Sequence, residues 1–160
     1  MNKFLAFLLF FILIVISFSV FNIKDNLPFN QVSFIRGEIG NVPVRLEVAN
    51  NPLSRSKGLS NRAELRNGEG MIFVFLEDDT HGFWMKDMKF PIDIIWINSN
   101  NIIIGAEENI SPNTYPASFY PPSPVKYVIE VPAGFFARNN LKIGNLVSLE
   151  SQNLITSSAF

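Results

Sequence analysis

The chain has 160 residues and a formal net charge of −1, which argues against a broad basic face for nucleic acid. It has no cysteine and one histidine, His81. That composition removes disulfides, thiol catalysis and multi-histidine metal sites, and no cofactor motif is found.

The first element is apolar. Lys3 precedes a run from Phe4 to Ile16 that reaches Phe21 with only Ser17 and Ser19 interrupting it. As a helix, residues 4–21 nearly span a ~30 Å bilayer core. Residues 1–22 are therefore expected to be a signal anchor or signal peptide. The positive-inside rule puts the remainder outside the cytoplasm. Ser17-Phe18-Ser19 is a poor small-x-small site, which favours the anchor. Cleavage would leave a secreted or periplasmic protein. Residues 23–36 read as a linker, residues 37–150 as one domain and residues 151–160 as a flexible tail.

Within the domain, Val42, Val44, Leu46 and Val48 alternate with Pro43, Arg45, Glu47 and Ala49, the period of a half-buried strand. Asn51-Pro52 predicts an N-cap and a first helical residue, with Gly58 a candidate stop. Asn67 to Gly70 is a turn, and Met71 to Leu76 a strand-length apolar run. Glu77-Asp78-Asp79 reads as a solvated loop. Phe83 to Met85 and Ile92 to Ile97 are expected to form a hairpin around a charged turn. Asn98 to Asn101 is a further hairpin turn, returning through Ile102 to Ile104. Five prolines between residues 109 and 124 predict a long loop. Tyr127, Ile129 and Val131 then alternate with Lys126 and Glu130 in a strand, and Leu146 to Leu149 close the domain. Many short strands with one short helix predict a mostly β fold, a compact antiparallel barrel or sandwich.

Five ordered blocks carry a resemblance: RSKGLSNRAEL (55–65), GEGMIFVF (68–75), FWMKDMKFPIDIIWI (83–97), PVKYVIEVPAG (124–134) and LKIGNLV (141–147). Together they resemble the domain-of-unknown-function 192 family. The resemblance implies a compact, mostly β domain, often exported, and no activity. The chain departs from the family pattern at Ser60, where Met is common. It departs again at Asp87-Met88, where Asn-Thr is usual, and at Asn145, where Gly-Asp is usual.

Candidate chemistry gathers around the charged turn. Trp84 and Lys86 fall on one strand face, with Asp87 and Asp93 nearby, so an aromatic wall with a cation and carboxylates can hold a ligand. Arg55 and Arg62 can grip an anion or serve as structural ion-pair partners. Tyr120, Lys126 and Tyr127 surround the proline-rich loop, which can act as a lid or docking edge. Ser54 and Lys57 match Ser-x-x-Lys without its companion motifs. Glu77, Asp78, Asp79 and His81 form no complete cation loop.

These residues favour a membrane-tethered binding module for a small or envelope-derived ligand, built from Arg55, Arg62, Trp84, Lys86, Asp87, Asp93, Tyr120, Lys126 and Tyr127. One alternative is an accessory protein docking on a membrane partner. The other is a hydrolase using carboxylates such as Asp93 and Glu130.

Overall fold

The computed structural model describes residues 32–150. Residues 1–31 and 151–160, with the expected membrane segment and tail, lie outside the described residues. Among the described residues no helix is long and apolar enough to cross a membrane.

The described residues form nine strands: β1 (Phe34–Ile39), β2 (Val42–Ala49), β3 (Glu69–Asp79), β4 (Phe83–Trp84), β5 (Ile92–Ile97), β6 (Ile103–Ile110), β7 (Ser118–Phe119), β8 (Val125–Pro132) and β9 (Val147–Leu149). Helix α1 (Pro52–Lys57), a 3-10 turn (Pro112–Thr114) and helix α2 (Phe135–Arg138) complete them. Seven strands form one curled sheet in the order β6-β5-β8-β3-β2-β1-β9. A bridge between Ile102 and Leu146 brings the two ends of that order together. Strands β4 and β7 form a separate two-stranded sheet.

Four expectations are corrected. The sheet is mixed, because β2 and β3 run parallel. Helix α1, which connects them, supplies the crossover that a parallel pair requires. The runs at 83–85 and 92–97 also do not form a hairpin. Phe83 and Trp84 pair with Phe119 and Ser118, whereas β5 pairs with β6 and β8. Strand β1 crosses the expected linker boundary at residue 36, and Glu77 to Asp79 end β3 instead of forming a free loop.

The local signals explain the elements that matched. The Asn51 side chain accepts from the Ser54 N–H at 2.9 Å, and the Asn51 N–H donates to Ser54 Oγ at 3.2 Å. This reciprocal cap, with Pro52 at the first turn, starts α1. Gly58, at φ 48°, ends it in a conformation that disfavours side chains.

The curled sheet has apolar residues on both faces. One cluster, with Leu46, Ile72, Ile95, Ile129 and Val131, lies on one face together with Phe135 and Phe136 of α2. The other, with Met71, Phe73, Ile94, Trp96 and Val128, is covered by Leu59, Phe83 and Met85. Strand β5 touches both clusters and is buried throughout, so its sequence is a continuous apolar run broken only by Asp93.

Candidate functional site

The covering layer leaves a cleft of about 280 Å³ over the second face of the sheet. The exit of α1, from Arg55 to Ser60, forms one wall, and His81 to Trp84 form another. Phe73, Phe75, Met88 and Glu130 also line it.

A bulge in β3 positions part of this wall. Val74 faces Tyr127 and Asp79 faces Val125 on β8, so residues 75–78 of β3 pass only Lys126. The Lys126 ammonium donates to the Leu76 carbonyl within this arch. The His81 ring stacks on Phe75 with centroids 3.4 Å apart. Phe83 meets Phe73 edge-on at 4.8 Å. The Arg55 guanidinium donates to the Val74 carbonyl at 3.1 Å and lies 5.2 Å from the centre of the Phe75 ring.

The electrostatics of the cleft centre on Glu130 and His81. Glu130 sits on β8 opposite Met71 of β3 and Ile94 of β5, so apolar neighbours flank it. Burial pushes its carboxyl up from 4.5 to about 8, and the Arg62 guanidinium draws it partly back. The carboxyl therefore holds its proton at neutral pH. Burial lowers the His81 imidazole below its ordinary value. Asp79 and the Glu77 carbonyl oppose that shift, and Arg55 reinforces it.

Among the described residues, His81 Nε2 and Glu130 Oε2 are the buried side-chain polar atoms without a hydrogen-bond partner. Leaving a buried polar group unpaired costs about 1–3 kcal/mol, and native structures contain few such groups. Both belong to residues lining this one cleft.

The family model of DUF192, described as an uncharacterized ACR, matches residues 35–149. The chain belongs to the DUF192 family. Two crystal structures resemble this DUF192 domain. One is a Sinorhizobium meliloti 1021 protein provisionally named a transcription regulator, 28% identical with a TM-score of 0.67, the match covering 72% of this chain and 92% of that one. The other is a protein of unknown function from Novosphingobium aromaticivorans DSM 12444, 27% identical with a TM-score of 0.66, the match covering 75% of this chain and 88% of that one. No curated protein matches the chain.

In this DUF192 domain the nine residues named from sequence do not converge. Arg55 and Trp84 line the cleft. Arg62 pairs with Glu47 at 2.7 Å. Lys86 and Asp87 point into solvent, and their backbone carbonyls hold the cleft wall. The Lys86 carbonyl accepts from Ser60 Oγ at 2.9 Å, and the Asp87 carbonyl accepts from the Asn61 N–H at 2.8 Å. Asp87 has φ 57°, a left-handed conformation that Asn and Asp adopt more readily than other non-glycine residues. Asp in place of the usual Asn therefore suits the backbone.

Asp93 is removed from the cleft. It is fully buried and faces Val131 on β8, so it shares the Val131 side of the sheet. Its Oδ1 accepts from the Asn109 and Gly134 N–H groups at 2.8 and 2.9 Å, and its Oδ2 from the Phe136 N–H at 2.9 Å. These bonds tie β5 to the end of β6 and the start of α2. A hydrolase that pairs Asp93 with Glu130 has no geometry here, since the two carboxyls lie on opposite faces. Tyr127 packs against the first core cluster. Tyr120 is exposed, with its ring over Gly82, where an added Cβ would lie 2.7 Å from Cε1.

Ser54 Oγ is engaged in the helix cap and donates to the Asn51 carbonyl at 3.0 Å. The Ser-x-x-Lys spacing is thus a capping pattern. No group of metal-ligating side chains gathers among the described residues. Sequence reasoning placed His81 beside the acidic residues and Glu130 on a polar strand face. Glu130 had no local signal of burial, because the layer that covers it comes from distant segments.

Proposed function

We propose that this DUF192 domain is a binding module for a small molecule with an apolar body and an anionic or hydroxyl group. The observation that carries this reading is the pairing of two unpartnered buried polar atoms with one cleft. Phe73, Phe75 and Phe83 offer the apolar body a surface. Arg55 and Lys57 supply positive charge on the α1 wall. The bridge between Ile102 and Leu146 supports treating the curled sheet as a closed barrel, a rigid support for such a site. The apolar run at residues 4–21 supports a location outside the cytoplasm, tethered to the membrane.

Isothermal titration of the full chain in detergent with 3-phenylpropionate tests the site. Binding is expected, weakened about tenfold or more when Arg55 and Lys57 are both changed to Ala. Binding that is unchanged in this double variant, or absent from the wild type, argues against the cleft.

A second reading has its own observation. Trp84, Tyr115 and Tyr120 are all exposed around the β4–β7 sheet, and Trp84 meets Tyr115 edge-on at 6.3 Å. Such aromatic groups suit docking on a membrane partner. Crosslinking from position 120 in intact cells tests it by trapping one dominant partner, and capture at background level counts against it.

A further inference from the structure

The two unpartnered atoms also specify what the cleft binds, provided that the binding reading above holds. His81 Nε2 has no partner, while the Glu77 carbonyl favours a proton on the imidazole. With the proton of the neutral ring on Nδ1, Nε2 is an acceptor. Glu130 retains its proton because apolar neighbours enclose it, so its carboxyl has an O–H to donate. One wall therefore needs a donor and the other an acceptor. A carboxylate offers acceptors only and an ammonium donors only. A hydroxyl offers both from a single atom, whereas an amide offers one of each from two atoms held rigidly apart, as two separate walls require.

The remaining chemistry narrows the class. Arg55 and Lys57 make none of the ion pairs found among the described residues, so the α1 wall carries uncompensated positive charge. Phe73, Phe75 and Phe83 provide an aromatic surface. The volume, about 280 Å³, lies at the small end for ligand pockets and suits a single-residue ligand better than a longer peptide.

We propose that the cleft recognises an N-acylated amino acid with an apolar side chain, its amide N–H donating to His81 Nε2, its amide carbonyl accepting from Glu130, and its carboxylate lying at Arg55 and Lys57. The side chain rests on the phenylalanines.

The test compares N-acetyl-L-phenylalanine with 3-phenylpropionate, which keeps the ring and the carboxylate and lacks the amide. Both are titrated calorimetrically into the full chain at pH 7. The wild type is expected to bind the amide ligand about tenfold more tightly or better. His81→Phe keeps a ring to stack on Phe75 and removes the acceptor. Glu130→Met removes the donor. Each is expected to bring the two ligands to near-equal affinity, while Glu130→Gln, which retains a donor, preserves the preference. Equal affinities in the wild type, or a preference unchanged in His81→Phe and Glu130→Met, overturn the amide assignment. Either result leaves the binding reading intact so long as 3-phenylpropionate still binds through Arg55 and Lys57. Failure of both ligands to bind the wild type overturns both.

Discussion

Asp93 and Glu130 lie on adjacent strands, one step out of register, and point to opposite faces of the same sheet. Their environments differ as sharply as their directions. Both Asp93 oxygens accept backbone N–H groups, whereas Glu130 Oε2 has no partner. Asp93 is a structural fastener, and Glu130 keeps an unpartnered oxygen beside the cleft.

The fastener has a measurable weight. Asp93→Ala strands three backbone N–H groups at the junction of β5, β6 and α2. Destabilisation of about 3 kcal/mol or more is expected, since each unpaired buried donor costs about 1–3 kcal/mol. Asp93→Asn keeps one acceptor oxygen and turns an amide NH₂ toward at least one of the donors, so it should lose less, about 1–3 kcal/mol. Urea unfolding of the two variants checks the order. Equal loss in both would show that the three bonds do not act as described.

Asp87 answers to its backbone. With φ at 57°, Asp87→Asn is expected to leave stability within about 0.5 kcal/mol of wild type. Asp87→Val places a β-branched residue in the left-handed region and should cost about 1–2 kcal/mol. A comparable loss in both variants by urea unfolding would mean that the carboxylate, and not the backbone conformation, matters at this turn.

Arg62 has two roles that one substitution separates. Its pair with Glu47 is only partly exposed, so Arg62→Ala should cost about 1 kcal/mol. The same guanidinium draws the Glu130 carboxyl downward. Its removal should therefore raise the Glu130 midpoint above about 8, and carboxyl-carbon NMR follows that shift. An unmoved midpoint would mean that burial alone holds the proton.

The residues that could be read from sequence are those whose signals are local. Asn51-Pro52 announced α1 because a cap and its proline act within one turn. The runs in β5 and β8 announced strands because burial imposes a pattern on consecutive residues. Pairing was not legible in the same way. Strand β4 holds two residues, too few for a period, and its partner β7 lies more than thirty residues away. The parallel β2–β3 pair has no turn to signal it. The first half of β1, Phe34 to Arg36, read as linker because periodicity is weak there, although these residues pair with Glu47 to Arg45 of β2. At the site, Arg55 and Trp84 were legible as exposed cation and aromatic. Glu130 looked like the solvent face of an alternating strand. Its burial comes from Leu59 and the Phe83–Met88 segment, which are distant in the chain and lie over that face.

Glu130 should also leave a signature in the pH dependence of stability. Its carboxyl is raised from 4.5 to about 8 on folding, so between those values the folded chain holds a proton that the unfolded chain has released. Its stabilising contribution is complete below about 4.5 and is lost as pH rises toward 8, with a slope of at most about 1.4 kcal/mol per pH unit. His81 acts in the opposite direction. Its lowered value in the fold means that stability is present above 6.5 and lost as pH falls. The wild-type profile therefore mixes the two, and the difference from Glu130→Gln isolates the carboxyl. That variant has nothing to ionise at position 130, so its stability relative to wild type should climb steadily from pH 5 to pH 8 and then level off. Urea unfolding at pH 5, 6.5, 8 and 9 measures the difference. A flat difference across that range would mean that Glu130 ionises as it does in the unfolded chain, and the donor assigned to the cleft floor would be lost with it.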